Sequence, residues 1–357
     1  MAYTTIDDPS EYFHTQLFTG NGSTQSITND ANAGDFKPDW LWIKSRGSTH
    51  GHAVFDSNRG GNARLASEGL QEERTNEGNV TFQTDGFNVT SSHPTTNNNS
   101  TNMVAWQWKV NGGTTTSFSE SGSQIGGTRQ VNTTVGISLI TYTGNGSSGS
   151  TIPHGLSQTP EYVMIKNRGD ADEWVANGSV LGNYARLHPN AQSSLATGEG
   201  SHDYIKYPNT GSTNLVTGVS HNRSNADGDT YMAWCFHSVQ GYSKIGKYTG
   251  NGNADGTFVY TGFKPVWIMV KRTDATNHWL LLDVKRADVS DVNPVDQWLR
   301  ADSDDTESSG LTFDFLSNGF KCRSNDPSLN ASGGTYMYMA FAESPFVSSE
   351  GVPTTAR

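Results

Sequence analysis

Lys37-Pro-Asp-Trp-Leu-Trp-Ile-Lys44 opens on a lysine and proline, runs through aromatic and aliphatic residues, and closes on a lysine. Bulky and β-branched side chains fit a pleated surface, so the run reads as a short strand. Alternation sends Trp40 and Trp42 to one face and Leu41 to the other. The same pattern returns as Thr159-Pro-Glu-Tyr-Val-Met-Ile-Lys166 and Lys264-Pro-Val-Trp-Ile-Met-Val-Lys271, with an arginine close behind each lysine at Arg46, Arg168 and Arg272. Upstream of each stands Thr-Gly-Asn-Gly, at 19–22, 143–146 and 249–252, always after Phe or Tyr. From that Thr to the closing Lys the spacing is 25, 23 and 22 residues. A third landmark ends each copy: Met103-Val-Ala-Trp-Gln-Trp108, Tyr231-Met-Ala-Trp-Cys-Phe236 and Tyr338-Met-Ala-Phe-Ala-Glu343. A fixed recurrence decides architecture before local propensity does.

Asp85-Gly86, Asp227-Gly228 and Asn318-Gly319 supply the positive φ that tight hairpins need. Gly accounts for 39 of 357 residues and charged side chains for only 17%, a balance that suits many short strands and disfavours long helices. The expectation is an all-β protein of three tandem antiparallel β-sandwich repeat domains, jelly-roll or Ig-like, at 14–110, 135–238 and 243–346. Around them fall an N-terminal arm at 1–13, a linker at 111–134 and a C-terminal tail at 347–357. Helix is expected only as short pieces, with 62–72 and 295–300 as candidates.

The net charge of −11 and the lack of any Lys/Arg-rich run give no footprint for a phosphate backbone, so nucleic acid is not an expected partner. The N-terminus has neither a basic nor an apolar segment of the signal-peptide kind, and no stretch approaches the length of a membrane span. The chain reads as made in a cytoplasm, without membrane insertion. Cys235 and Cys322, far apart in sequence, read as two buried free thiols.

No nucleophile elbow, zinc-protease helix, P-loop or dinucleotide fingerprint occurs, so the common enzyme classes have no motif behind them. His50 and His52 form a His-x-His pair near Asp56, which reads better as a solvated strand edge than as metal ligands. His154, between Pro153 and Gly155, reads as turn packing. Asp302, Asp304, Asp305 and Glu307 lie in a Ser-rich segment with no apolar pocket to raise one carboxyl above another, so a solvated loop is expected there. Asn251-Gly-Asn-Ala-Asp-Gly256 begins like a calcium loop, but Gly262 stands where the bidentate glutamate belongs. No cofactor, metal or catalytic residue is expected. For binding, the candidates are the repeated loops and aromatic residues, Asn21, Trp42, Asn145, Asn251 and Asp255, since a flat indole beside amide and carboxylate groups suits a sugar ring.

With these repeats in view, the chain resembles a family of structural proteins from tailed, especially marine, bacteriophages. The residues that carry the resemblance are Ala2-Tyr-Thr-Thr-Ile-Asp-Asp-Pro-Ser-Glu-Tyr-Phe13, the Tyr-Thr-Gly-Asn-Gly loops, the Pro-x-Trp-x-x-Ile-Lys strands, Tyr-Met-Ala-Trp, and Ala340-Phe-Ala-Glu-Ser-Pro-Phe-Val347. The resemblance spans essentially the whole chain. It implies a non-enzymatic virion protein on the particle's exterior, a tail-fibre or receptor-binding adhesin that meets host surface glycans. Capsid decoration or a head fibre is the alternative, and a polysaccharide depolymerase the third reading. It transfers no catalytic residue.

Two further expectations follow. The N-terminal segment, with Tyr3, Tyr12 and Phe13 as anchors, docks on another virion protein, because the repeats do not account for it. The 37 aromatic residues exceed what three small cores enclose, which points to self-association, as a trimer, with a monomer of pseudo-threefold character as the rival.

Overall fold

The computed structural model describes residues 3–30, 35–90, 92–198, 204–207, 210–287 and 293–353. Strand makes up 41% and helix 3%, so the all-β expectation holds. The three Pro-led runs are strands, Trp40–Ser45, Tyr162–Asn167 and Phe263–Arg272, and each is an inner strand of a larger antiparallel sheet.

One strand order recurs. In the first copy it is Phe13–Thr19, Asn102–Trp108, Trp40–Ser45, Ala53–Asp56. In the second it is Ile137–Thr143, Thr230–Phe236, Tyr162–Asn167, Val175–Asn177. In the third, Ser243–Thr249, Thr335–Pro345, Phe263–Arg272 and Trp279–Asp283 are followed by a fifth strand, Leu299–Arg300. Register fixes the correspondence, since Phe13 pairs with Trp108, Ile137 with Phe236 and Ser243 with Phe341. Smaller antiparallel sheets accompany each copy, such as Gln25–Ile27 with Phe87–Val89 and Val80–Phe82.

That register corrects the third landmark. Thr143 pairs with Thr230 and Thr249 with Thr335, so the counterpart of Tyr231-Met232 is Tyr336-Met337, not Tyr338-Met339. The sequence repeats Tyr-Met at a spacing of two, and a shift of two residues keeps every side chain on its face.

The 111–134 segment is not a bare linker. Thr116–Phe118 and Gly127–Asn132 are strands that extend the second large sheet to six by pairing outside Ile137–Thr143. Both helix candidates fail as well: Ala63–Arg64 and Leu299–Arg300 are strands, and Val295 bridges to Phe313. In each place an edge that needs backbone partners overrides weak local helix propensity.

Both faces of each large sheet are buried. Leu41, Ile43 and Phe55 pack with Phe87 and Val89 of a smaller sheet, and Val163, Ile165 and Ala233 pack with Ile152 and Leu215. The opposite faces converge on one shared cluster that includes Trp40, Trp106, Trp108, Trp174, Trp234, Trp267 and Trp279. Trp40 stacks on Trp108 at 3.9 Å and lies 6.5 Å from Trp234, while Trp108 meets Trp267 edge-on at 5.5 Å. Truncating one such indole costs on the order of 3–5 kcal/mol, so this common interior binds the copies into one unit. Among the described aromatic residues only Phe258 and Tyr260 are exposed, so the supposed surface surplus lies inside.

Candidate functional site

Each Thr-Gly-Asn-Gly loop closes against a buried asparagine that stands five residues ahead of the copy's last long strand: Asn97, Asn225 and Asn330. The loop residue's backbone N–H donates to the buried amide oxygen, from Asn21 at 2.9 Å, Asn145 at 3.0 Å and Asn251 at 2.9 Å. The buried amide nitrogen donates back to the loop side chain and to the carbonyl two residues on, at Ser23, Ser147 and Asn253. The loop amide oxygen also accepts from the N–H two residues on, at 2.8, 3.1 and 3.0 Å. Gly22, Gly146 and Gly252 sit at φ of 65, 67 and 68°, where only glycine is relaxed. The three candidate asparagines thus latch the loop through their backbone N–H and amide oxygen, while the Asn21 and Asn251 side chains stay exposed. Asn97, Asn225 and Asn330 escaped the sequence reading. Their constant five-residue offset from the final strand was the available signal.

Trp42 is buried, and its Nε1 donates to His52 Nδ1 at 2.7 Å, so it offers no face to a sugar. Accepting that bond leaves the His52 proton on Nε2, which donates to Arg300 O at 2.8 Å. Full burial pulls the His52 pKa down to about 3, and the ring stays neutral. His52 is therefore not on a solvated edge: it is buried, with both ring nitrogens engaged. No cluster of three or more His, Cys, Asp or Glu suited to a metal occurs among the described residues. Asp255 is exposed and paired with Lys321 and Arg323, and the Lys321 ammonium holds its carboxyl below the usual range. His154 is turn packing as expected, accepting from Leu156 N at 3.1 Å.

The acidic segment is solvated only in part: Asp304 is exposed, but the Asp302 and Glu307 side chains are buried. Asp302 accepts from Trp279 N at 2.9 Å and meets His278 Nδ1 at 3.0 Å, while Glu307 accepts from Arg46 and Arg286. Glu307 bridges the third and first copies, whereas Asp302 ties strands within the third.

The seams repeat in a cycle. Trp174 Nε1 of the second copy donates to Ala66 O of the first at 2.9 Å, and Trp279 Nε1 of the third donates to His188 O of the second at 3.1 Å. His52, at the matching position of the first copy, donates to Arg300 O of the third and completes the circuit. A second set runs Glu73 N to Arg168 O, Leu195 N to Thr273 O and Glu307 N to Arg46 O, at 2.8, 2.8 and 2.9 Å. Glu73 also pairs with Arg59 at 2.9 Å and Arg168 at 2.8 Å. Lys44, Lys166 and Lys271 are fully buried and cap backbone carbonyls, among them Asp304 O and Gln192 O across seams. Burial draws all three amines down to about 8.

The expected arm folds back onto the chain. Tyr3 Oη donates to Gly262 O at 2.8 Å, and Thr4 Oγ1 to Gln240 O at 2.8 Å. Tyr12 meets Tyr242 edge-on at 6.1 Å, and Phe13 opens a strand and stacks on Phe341 at 5.4 Å. Ala2 lies outside the described residues, as do 354–357 of the tail. Tyr3 and Phe13 thus pack against the third copy, and Phe13 and Tyr12 also meet Trp108 and Lys109 of the first.

The chain belongs to the family described as Domain of unknown function (DUF7483), whose model matches residues 8–345, a span that takes in all three copies. No curated protein and no solved structure matches it. No described helix is long and apolar enough to cross a membrane.

Proposed function

We propose that the chain is a non-enzymatic structural protein on the exterior of a tailed-phage virion, built as three tandem antiparallel β-sandwich repeats closed into a pseudo-threefold ring. The observation that carries the structural part is the cycle of ring N–H to carbonyl bonds from Trp174, Trp279 and His52. Residues with chemical potential, including buried lysines, arginines and carboxylates, are engaged in holding that ring together. The virion assignment rests on the sequence resemblance.

A tail-fibre or receptor-binding adhesin is the first placement, with host glycan and other virion proteins as partners. Capsid decoration is the second, and one observation favours it: Trp42 is buried and bonded to His52, so it offers no aromatic face to a glycan. The internal pseudo-threefold supports a monomer carrying three similar faces in place of a homotrimer. Quantitative mass spectrometry of purified particles tests the placement. Hundreds of copies per particle mark the capsid, a few to a few dozen mark the tail, and absence from particles overturns the virion reading. Release of oligosaccharide from capsular polysaccharide would overturn the non-enzymatic one.

A further inference from the structure

The small sheet of the third copy, Phe258–Tyr260 with Gly319–Cys322 and Phe313–Leu316, buries one face and exposes the other. Val259, Phe320, Phe313 and Phe315 join the shared cluster, so alternation turns Phe258 and Tyr260 outward. They are 45% and 55% exposed.

The other two copies do without them. A Cβ on Gly86 or Gly319 would sit 2.1 or 2.0 Å from the carbonyl oxygen of Ile27 or Val259, which makes Ile27 the counterpart of Val259. Ser26 and Thr28 therefore stand where Phe258 and Tyr260 do, and both are exposed. In the second copy Thr217 N bonds to Ser150 O and Gly149 N to Thr217 O, as Cys322 N bonds to Thr257 O and Gly256 N to Cys322 O. That match gives the two positions to Thr151 and Pro153. The third copy alone turns two aromatic rings to water where the repeat fold needs none.

We propose that this face is a glycan-binding platform for a neutral oligosaccharide of glucose-like sugars, one sugar ring lying on each aromatic ring. Such sugars carry their hydroxyls around the ring edge and their C–H bonds on its faces, so a flat apolar surface beside hydrogen-bonding groups fits them.

The sheet leaves the rings open. Tyr260 pairs across the sheet with Gly319, which has no side chain to cover it. A Cβ on Gly319 would stand 3.2 Å from Phe258 Cε2, so that ring leans over the glycine. Tyr3 Oη spends its proton on Gly262 O, so in its 3.3 Å contact with Tyr260 Oη the donor is Tyr260, which holds that phenol against the N-terminal segment. The rim is charged but balanced. Asp255 pairs with Lys321 and lies 3.6 Å from Arg323, which lies 3.5 Å from Asp314. Two carboxylates against two cations leave no net charge to draw an ionic partner, while the exposed Asp255 and Arg323 side chains can still bond to hydroxyls. Size separates a sugar from a protein partner. Each ring covers at most about 250 Å² and is half exposed, so the pair offers on the order of 250 Å², against about 800 Å² per partner in a stable protein interface.

This inference rests on the adhesin reading, to which it adds a place for the glycan. The probes are cellohexaose and N-acetylchitohexaose, both neutral, titrated into the full chain and followed by saturation-transfer NMR and amide exchange. Saturable binding with slowed exchange at residues 258–260 is expected. Phe258→Ser and Tyr260→Thr introduce the side chains that the first copy carries at the same places, so the unfolding midpoint should stay where it is. Each should weaken binding about fivefold, and both together about 25-fold, the scale of one and two aromatic contacts. Phe258→Tyr, which keeps a ring, should bind as the unsubstituted chain does. Binding unchanged in the double variant overturns the platform and leaves the adhesin reading standing. Binding of neither hexasaccharide overturns the platform as well, whereas the adhesin reading falls separately, on the copy number in particles. A concentration-dependent dimer that the double variant abolishes also overturns the proposal, because it gives the face to a second copy of the chain.

Discussion

Arg46 and Glu307, 261 residues apart in sequence, meet through a forked ion pair in which Nε and Nη2 lie 2.9 and 2.6 Å from one carboxylate oxygen. The other oxygen accepts from Arg286 Nη1 at 3.0 Å, so one side chain ties the third copy to itself and to the first. Glu73 does the same one seam along, between Arg59 and Arg168.

Glu307→Gln should therefore destabilise the whole chain. Removing one member of a buried pair strands its partners, at a cost of about 3 kcal/mol, read as a lower urea midpoint. Glu350→Gln, at an exposed carboxylate, serves as the reference and should leave the midpoint in place. A Glu307→Gln midpoint equal to that of the unsubstituted chain would contradict the role given to the seam.

Stability should rise with pH above about 8. Burial lowers Lys44, Lys166 and Lys271 from 10.5 to about 8, so between these values the unfolded chain holds protons that the folded chain has released. Each lysine then adds up to about 1.4 kcal/mol of stability per pH unit as pH rises through that window. Buried tyrosines such as Tyr142 are raised by desolvation and reverse the trend above their ordinary value near 10. Urea titrations at pH 8.0, 8.5, 9.0 and 9.5 should show the gain, and Lys166→Met should show a shallower slope. A flat or falling series counts against the buried charges.

Asn330→Ala should cost about 2–3 kcal/mol, since it removes a buried amide and takes the bonds it makes from the Asn251 N–H and the Asn253 carbonyl. Asn330→Asp should fail too, because a carboxylate cannot return the donated bonds. Hydrogen exchange at Asn251 and Asn253 should quicken in both. Unchanged exchange there would mean that the loop holds its shape without the latch.

Close backbone approach makes a separate demand on the loops. A Cβ on Gly20, Gly144 or Gly250 would sit 2.1, 2.2 or 2.3 Å from the carbonyl oxygen of Asn98, Ala226 or Ala331. Gly144→Ala should lower stability by about 1–3 kcal/mol in calorimetry, as overpacking does, whereas Gly211→Ala, with open space around it, should be nearly neutral. Equal effects of the two would refute the close contact.

The strands were legible where side chains carry the signal. Trp40–Ser45 and its counterparts bury both faces, so their composition announces them. Thr116–Phe118 and Gly127–Asn132 were not legible, because they are polar and owe their extended form to the open edge of Ile137–Thr143. Tyr336 could not be told from Tyr338 by pattern, since two-residue periodicity serves both registers equally. The seams were invisible for another reason: their acceptors are main-chain carbonyls of Ala66, His188 and Arg300, which no residue letter encodes. The repetition of Asn21, Asn145 and Asn251 was legible, whereas the buried asparagines that latch their loops were not.

The bond from His52 to Arg300 spans 248 residues, and it has a consequence for biosynthesis. At roughly 5–20 residues per second, the first copy waits on the order of 12–50 s after emerging before its closing partner exists. During that interval the indole-bearing face of Trp40, Trp106 and Trp108 has only part of its cover. The nascent chain is thus a long-lived, sticky intermediate whose yield should depend on translation speed and on chaperones that shield aromatic surface.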